Sequence, residues 1–297
     1  MNKPKLSFWR IWNLSFGFLG VQIGYSLQNS NTSSIFESLG ADVSHLSYFW
    51  LAAPLAGMIV QPIVGLFSDG TWTRWGRRIP YILGGSLIST LALVLMPNCP
   101  KLLAFAPLAM GAFILLFMDL SFNVTMQPFR ALVADMLDDS QKTQGYVVQT
   151  FLINLGAVVG AILPLVMTWL GVSDEAAPEH VSPHIVYSYY AGGAILLLTV
   201  LVTSFKTREY PPGEFARYNN LSDEGGAKPV SFAGLMRNVP GVMVRLGVTQ
   251  FFSWAALFLM WTYLKPAITG VVTDHATGEV LSAGATQTWV GVLNGTY

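Results

Sequence analysis

Apolar residues in this chain fall in long, nearly unbroken runs separated by short polar or charged clusters. A helix needs roughly 20 mostly apolar residues to cross about 30 Å of hydrocarbon. Seven runs reach that length, at 11–33, 46–68, 79–97, 103–130, 145–170, 185–205 and 244–264. An eighth starts near Thr286 with Trp289, Val290, Val292 and Leu293 and reaches Tyr297 after about half a bilayer thickness, which predicts a chain that continues. The pattern predicts an all-α polytopic membrane protein. Between the sixth and seventh runs lies the one long polar insertion, Lys206 to about Pro240, with Pro211, Pro212, Gly213, Asp223, Glu224, Gly225 and Gly226. It reads as a linker. Six helices, a linker and further helices is the layout of two-halved secondary transporters. The expected units are a six-helix bundle at 1–205, a linker at 206–240, and at 241–297 the start of a second bundle, with helix 7 and part of helix 8.

Composition supports lipid as the solvent, since 53% of the residues are apolar and 11% charged. Net charge is zero, and no nucleic-acid partner is implied. The single cysteine, Cys99, excludes an internal disulfide and offers no metal cluster, and no cofactor is expected. Lys3, Lys5 and Arg10 precede the first run like a secretory signal, but the run is too long and lacks a cleavage pattern. Of the 16 Lys and Arg residues, 14 fall on one side of the alternating spans, leaving only Lys101 and Lys265 opposite. The positive-inside rule then puts the N-terminus and the linker in the cytoplasm of a cell whose inner, plasma membrane holds the protein. Gly20 and Gly24, and Gly156 and Gly160, have the spacing that lets membrane helices approach closely.

The most specific segment joins the second and third spans: Gly65-Leu-Phe-Ser-Asp69, then Gly70 to Thr73, then Arg74-Trp-Gly76-Arg77-Arg78. It resembles the major facilitator signature, with four residues inserted between the acid and the arginines. That extended loop, ending in Arg-x-Gly-Arg-Arg-x-Pro at Pro80, is similar to the sucrose-carrier branch, as are Trp50-Leu-Ala-Ala-Pro54 and Gln61-Pro62-Ile-Val-Gly65. The fourth span carries Asp119, Asn123, Gln127-Pro128, Arg130-Ala-Leu and Asp135, a series resembling plant sucrose carriers and bacterial maltose-type relatives, and Gly291-Val-Leu-Asn294-Gly295 resembles them too. The resemblance covers nearly the whole chain. It implies the major facilitator fold and a monomeric sugar:proton symporter, a disaccharide such as maltose or sucrose being favoured. Sodium stays open as the coupling ion, because related glycoside carriers use it. The resemblance also assigns Gly65, Asp69, Arg74, Gly76, Arg77, Arg78 and Asp135 to a conformational latch, against a reading of the arginines as topology-setting charge.

The fourth span can also be read without the family. At about 100° per residue, Asn123 lies about 40° from Asp119, Gln127 about 80° and Arg130 about 20°, so the four share one face. A carboxylate facing lipid costs about 2.5–3.5 kcal/mol on insertion scales, so this stripe is expected to face the bundle interior or a water-filled cavity. Asp119 is the candidate proton carrier, and Arg130 its candidate coupling partner. The alternatives are a permanently paired Asp119, and an Arg130 that snorkels or pairs with Asp135. Pro128 is expected to kink the helix.

Sugar recognition needs hydroxyl-matching polar groups and aromatic faces near mid-membrane. Candidates are Gln22, Tyr25, Gln28 and Asn29 in the first span, Asn123 and Gln127 in the fourth, Gln149 and Asn154 in the fifth, and Gln250, Trp254 and Trp261 in the seventh. Interhelical bonding or interfacial anchoring is the competing account of each.

A seven-helix receptor is the rival from another class, but it requires neither the Asp69–Arg78 signature nor an eighth run. A retinal protein needs a buried lysine, and the seventh span has only Lys265 at its outer end. An enzyme is disfavoured because His45, His180, His184 and His275 fall in or beside expected outer loops with no nucleophile or metal cluster. Asn31-Thr-Ser33 matches a glycosylation sequon by chance.

Overall fold

A computed structural model describes residues 3–42, 52–102, 105–175, 180–219, 239–271 and 283–296. The expected runs become helices: α1 (Phe8–Ser38), α2 (Ala52–Gly70) and α3 (Ile79–Leu95). A 3-10 turn at Met96–Asn98 and the short α4 (Cys99–Leu102) extend α3. Then come α5 (Pro107–Met136), α6 (Asp139–Trp169) and α7 (Pro183–Lys206), followed by α8 (Pro212–Tyr218), α9 (Gly241–Val271) and α10 (Ala283–Thr296). Helix starts follow local chemistry. Proline stands in the first turn of α3, α5, α7 and α8, where its missing N–H costs nothing. Asp138 caps α6 by accepting from the Ser140 N–H at 3.0 Å.

Several helices outrun the expected limits. At 31 residues, α1 is about 46 Å long, more than the hydrocarbon requires, because a helix can carry polar ends into the interfacial zones. Asn31 therefore lies inside α1, fully buried, its amide donating to the Leu27 carbonyl at 2.9 Å, and not in a loop. His184 lies beside the loop before α7, buried in that helix's first turn. Five described stretches are long and apolar enough to cross a membrane: Ile79–Leu102, Pro107–Met136, Asp139–Trp169, Pro183–Lys206 and Gly241–Met260. Helix α1 is long enough, but it is diluted by Ser15, Ser26, Gln28, Ser30 and Asn31, all of them buried.

The bundle core is mainly apolar, with Phe18, Leu27, Phe122 and Phe129 fully buried, and polar side chains are set among them. Helix α1 packs mainly on α6 and α7, while α5 lies against α2 and α3, and α3 also touches α7. Ser86, Ser89, Thr125 and Ser188 are buried between helices and bond back to the preceding turn of their own helices, so their hydroxyls are satisfied without water. Leu87, Leu91, Phe113, Phe117, Phe151 and Leu198 point outward. A Cβ on Gly156 or Gly160 of α6 would strike the Leu19 and Ile23 carbonyl oxygens of α1, so this pair sets the α1–α6 approach. Helix α5 runs on through Pro128, and α2 and α6 run on through Pro62 and Pro164.

Among the described residues, α9 and α10 meet this bundle toward one end. Residues 241–254 of α9 are exposed, whereas Ile268, Thr286 and Val290 are buried, and Gly291 sits on the Ala161 carbonyl of α6. The other end of the bundle carries the α2–α3 loop and α8.

Candidate functional site

Two polar clusters stand out. The first lies along α5 midway through the bundle. Asp119 is 2% exposed and Gln28 of α1 is 1% exposed, and the Gln28 Nε2 donates to Asp119 Oδ1. The remaining polar atom of each group, Asp119 Oδ2 and Gln28 Oε1, is buried with no partner among the described residues. A relay of amides continues from there. Asn123 Nδ2 donates to the Asp119 carbonyl at 2.8 Å, Gln61 Nε2 of α2 to Asn123 Oδ1 at 2.6 Å, and Gln127 Nε2 to Gln61 Oε1 at 2.7 Å. Tyr25 sets its ring edge-on to Phe122, centroids 5.8 Å apart, and Asn29 reaches the Tyr25 hydroxyl one turn on.

The second cluster binds the charged ends of α2, α3 and α5 together. Arg78 is buried and bonds Asp69 through Nη2 at 2.5 Å, Asp135 through Nε at 2.9 Å and Ser68 through Nη1 at 2.5 Å. Arg77 Nη2 takes the same Asp135 oxygen at 2.5 Å, and its guanidinium lies 4.1 Å from the Phe215 ring of α8. Glu209, between α7 and α8, accepts the Arg78 and Ile79 N–H groups at 2.8 and 2.9 Å, so it caps α3 from outside its own helix. Gly76 makes this possible: its φ of +116° suits glycine, and a Cβ there would fall on the Glu209 side chain. Burial pushes the Glu209 carboxyl up from the usual range, against the pull of the Ile79, Arg78 and Arg77 N–H groups and of the Arg77 charge.

A family profile described as MFS/sugar transport protein matches residues 35–276. The chain belongs to that sugar transport family. Membership makes it a multi-pass membrane protein with the major facilitator fold and sets it among transporters, not enzymes. A general alpha-glucoside permease of Schizosaccharomyces pombe is 25% identical over 279 residues, 89% of this chain and 48% of the permease. A sucrose transport protein of Oryza sativa subsp. indica is 25% identical over 283 residues, 84% of this chain and 51% of that protein. The chain thus spans about half the length of these curated relatives. A bacterial homologue of the human lysosomal transporter Spinster, solved inward-facing and unoccupied, superposes with a TM-score of 0.62 at 13% identity, covering 96% of this chain and 58% of that one.

Within this sugar transporter fold, the expected site residues separate. Asp119, Asn123, Gln127, Tyr25 and Asn29 gather in the first cluster. Gln22 lies a turn away on α1, beside Gly156 of α6. Gln149 is buried and donates to the Phe129 carbonyl at 3.2 Å, fastening α6 to α5. Asn154 is exposed and bonds the Thr150 carbonyl of its own helix. Gln250 and Trp254 are exposed on α9, away from the Asp119 group, and the Trp261 side chain lies outside the described residues. Arg130 is exposed and does not pair with Asp135, whose carboxylate the two loop arginines occupy. Of the latch residues, Asp69, Gly76, Arg77, Arg78 and Asp135 converge. Arg74 is exposed beside Trp75, 5.8 Å from the ring centroid, with no carboxylate partner among the described residues, and nothing presses on Gly65. Gln61 and Glu209 were missed as site residues. Gln61 stood in the quoted Gln-Pro motif, while Glu209 carries no local signal in the sequence.

Proposed function

We propose that the full-length protein takes up a sugar together with a proton by alternating access, with a disaccharide such as maltose or sucrose as the preferred cargo. The observation that carries the reading is Asp119: a carboxyl buried between helices, held by one neutral amide, with Oδ2 unused. A buried acid without a cation beside it changes protonation when water reaches it and loses the proton to whichever side the cavity opens. Sugar binding drives proton uptake if both favour the same conformation. The relatives named as an alpha-glucoside permease and a sucrose transport protein support the cargo class. Tyr25, Asn29, Gln61, Asn123 and Gln127 offer the amides and aromatic edge that sugar hydroxyls and ring C–H groups need.

In this reading the first bundle ends at 205, the linker runs to 240, and a second bundle begins at 241. The end carrying the α2–α3 loop faces the cytoplasm of an inner, plasma membrane, on the charge asymmetry of the loops. Among the described residues, contact of α9 and α10 with α1 and α6 toward the opposite end supports an inward-open arrangement of a monomer, with the arginine cluster as the latch.

The test is the full-length protein in vesicles. Adding sucrose or maltose should alkalinise the outer medium, and Asp119→Asn should abolish that signal and uphill accumulation while sugar exchange at zero gradient persists. Uptake that ignores the proton gradient and follows sodium, or that survives Asp119→Asn intact, overturns the coupling.

A further inference from the structure

Asp119 and Gln28 form a pair of unusual composition: one carboxyl and one primary amide from different helices, both almost fully buried, joined by a single hydrogen bond. That bond uses Gln28 Nε2 and Asp119 Oδ1, and the atoms left over are Gln28 Oε1 and Asp119 Oδ2, neither with a partner among the described residues. Both are acceptors while the acid is ionised, and two acceptors cannot satisfy each other. A buried polar atom without a partner is costly, so this arrangement is poised for a single missing hydrogen. The proton that Asp119 takes up supplies it, since a planar acid and a planar amide can share two antiparallel hydrogen bonds.

We propose that Gln28 is the positioning residue that reads the protonation of Asp119 and converts it into a grip on α1. In the protonated state Oδ2–H donates to Gln28 Oε1 while Nε2–H still donates to Oδ1, closing a cyclic acid–amide pair. When the proton leaves to water, the second bond is lost and two oxygens face each other, which loosens α1 from α5. The grip matters because Tyr25 and Asn29 sit on α1 within one turn of Gln28, so closure fixes one wall of the candidate sugar site. Protonation then raises sugar affinity through α1, without requiring the acid to touch the sugar. Of the ionisable groups, Tyr25 on α1 feels the Asp119 charge and also that of Arg130 on α5, while Arg10 and Glu37 lie near the ends of α1, Lys101 on α4, and Asp139, Lys142 and Tyr146 at the start of α6. The facing helices α2 and α3 carry no other charged residue than Asp69, at the far end of α2.

This inference rests on the coupling reading above, and the experiment separates the two. The full-length protein is reconstituted in vesicles, and the affinities of sucrose and maltose are measured against pH in zero-gradient exchange for wild type, Asp119→Asn, Gln28→Leu and Gln28→Glu. Wild type should lose about tenfold in affinity per pH unit on the alkaline side, as one linked proton requires. Gln28→Leu should flatten this to less than about threefold per unit while exchange persists. Gln28→Glu restores a side chain that can close the same ring, but only when both acids are protonated, so the dependence should return and steepen toward about a hundredfold per unit. Difference infrared spectra supply a second measurement. The carboxylic C=O band that disappears in Asp119→Asn should move to higher frequency in Gln28→Leu, because the acid carbonyl loses its N–H donor. Wild-type pH dependence and an unshifted band in Gln28→Leu would sink the role of Gln28 while leaving Asp119 as carrier. Undiminished pH dependence in Asp119→Asn would sink the coupling reading itself.

Discussion

The charged end of the bundle and its midsection both rest on acidic side chains held by neighbouring helices, but they are satisfied in opposite ways. At the charged end, Asp135 receives two guanidinium groups, Asp69 a third contact, and Glu209 two backbone N–H donors. In the midsection, Asp119 has one neutral amide and an unused oxygen. An acid bound by guanidinium groups acts as a fastener, whereas an acid given a single neutral donor suits a proton carrier. The difference separates a residue that holds helices together from one that reports on them.

Stability measurements on the full-length protein in detergent can break this comparison. Arg78→Ala should have the largest effect, lowering stability by ~3–5 kcal/mol, since it strips Asp69, Asp135 and Ser68 of a shared partner. A loss under 1 kcal/mol would mean the cluster is merely surface charge. Gly76→Ala should follow at ~1–3 kcal/mol, from left-handed strain and the displaced Glu209. Glu209→Ala should cost about 1 kcal/mol as a lost helix cap, and Glu209→Gln less, because the amide oxygen still accepts. The Glu209 shift also gives a sign. Its folded pKa lies above the unfolded one, so its contribution is fully present below the ordinary carboxyl range and declines as pH rises through the folded value. Wild type should therefore gain stability relative to Glu209→Gln as pH falls from neutral, and the opposite slope would refute the assignment. Phe215→Ala should cost ~0.5–1 kcal/mol from the contact with Arg77. Asp119→Asn should change stability least, by under ~0.5 kcal/mol, because an asparagine can both accept from and donate to Gln28. A large loss at that position would class Asp119 with the fasteners.

The run lengths were enough to place the helices. Each of the seven expected spans and the eighth start overlaps a helix, though 46–51 of the second and 103–104 of the fourth lie outside the described residues, and the fourth is observed as Pro107–Met136. The limits drifted because hydropathy marks where a helix meets lipid and not where its hydrogen bonding ends. Asp138 caps α6 seven residues before the expected start. The shared face of Asp119, Asn123 and Gln127 was legible because it is a property of one helix. The partners on other helices were not. Gln61 and Gln28 find α5 through packing, and Gln149, of the same residue type, instead fastens α6 to α5. Of the readings offered for Arg130, only the alternative of pairing with Asp135 falls, because two loop arginines already occupy that carboxylate and spacing could not show it.

The stretch from Lys206 to Tyr218 is sequence that reads as tether but is moored. Glu209 on the start of α3 and Phe215 on Arg77 fasten it to the first bundle. An insertion placed just after Lys206 would therefore pull on the arginine cluster.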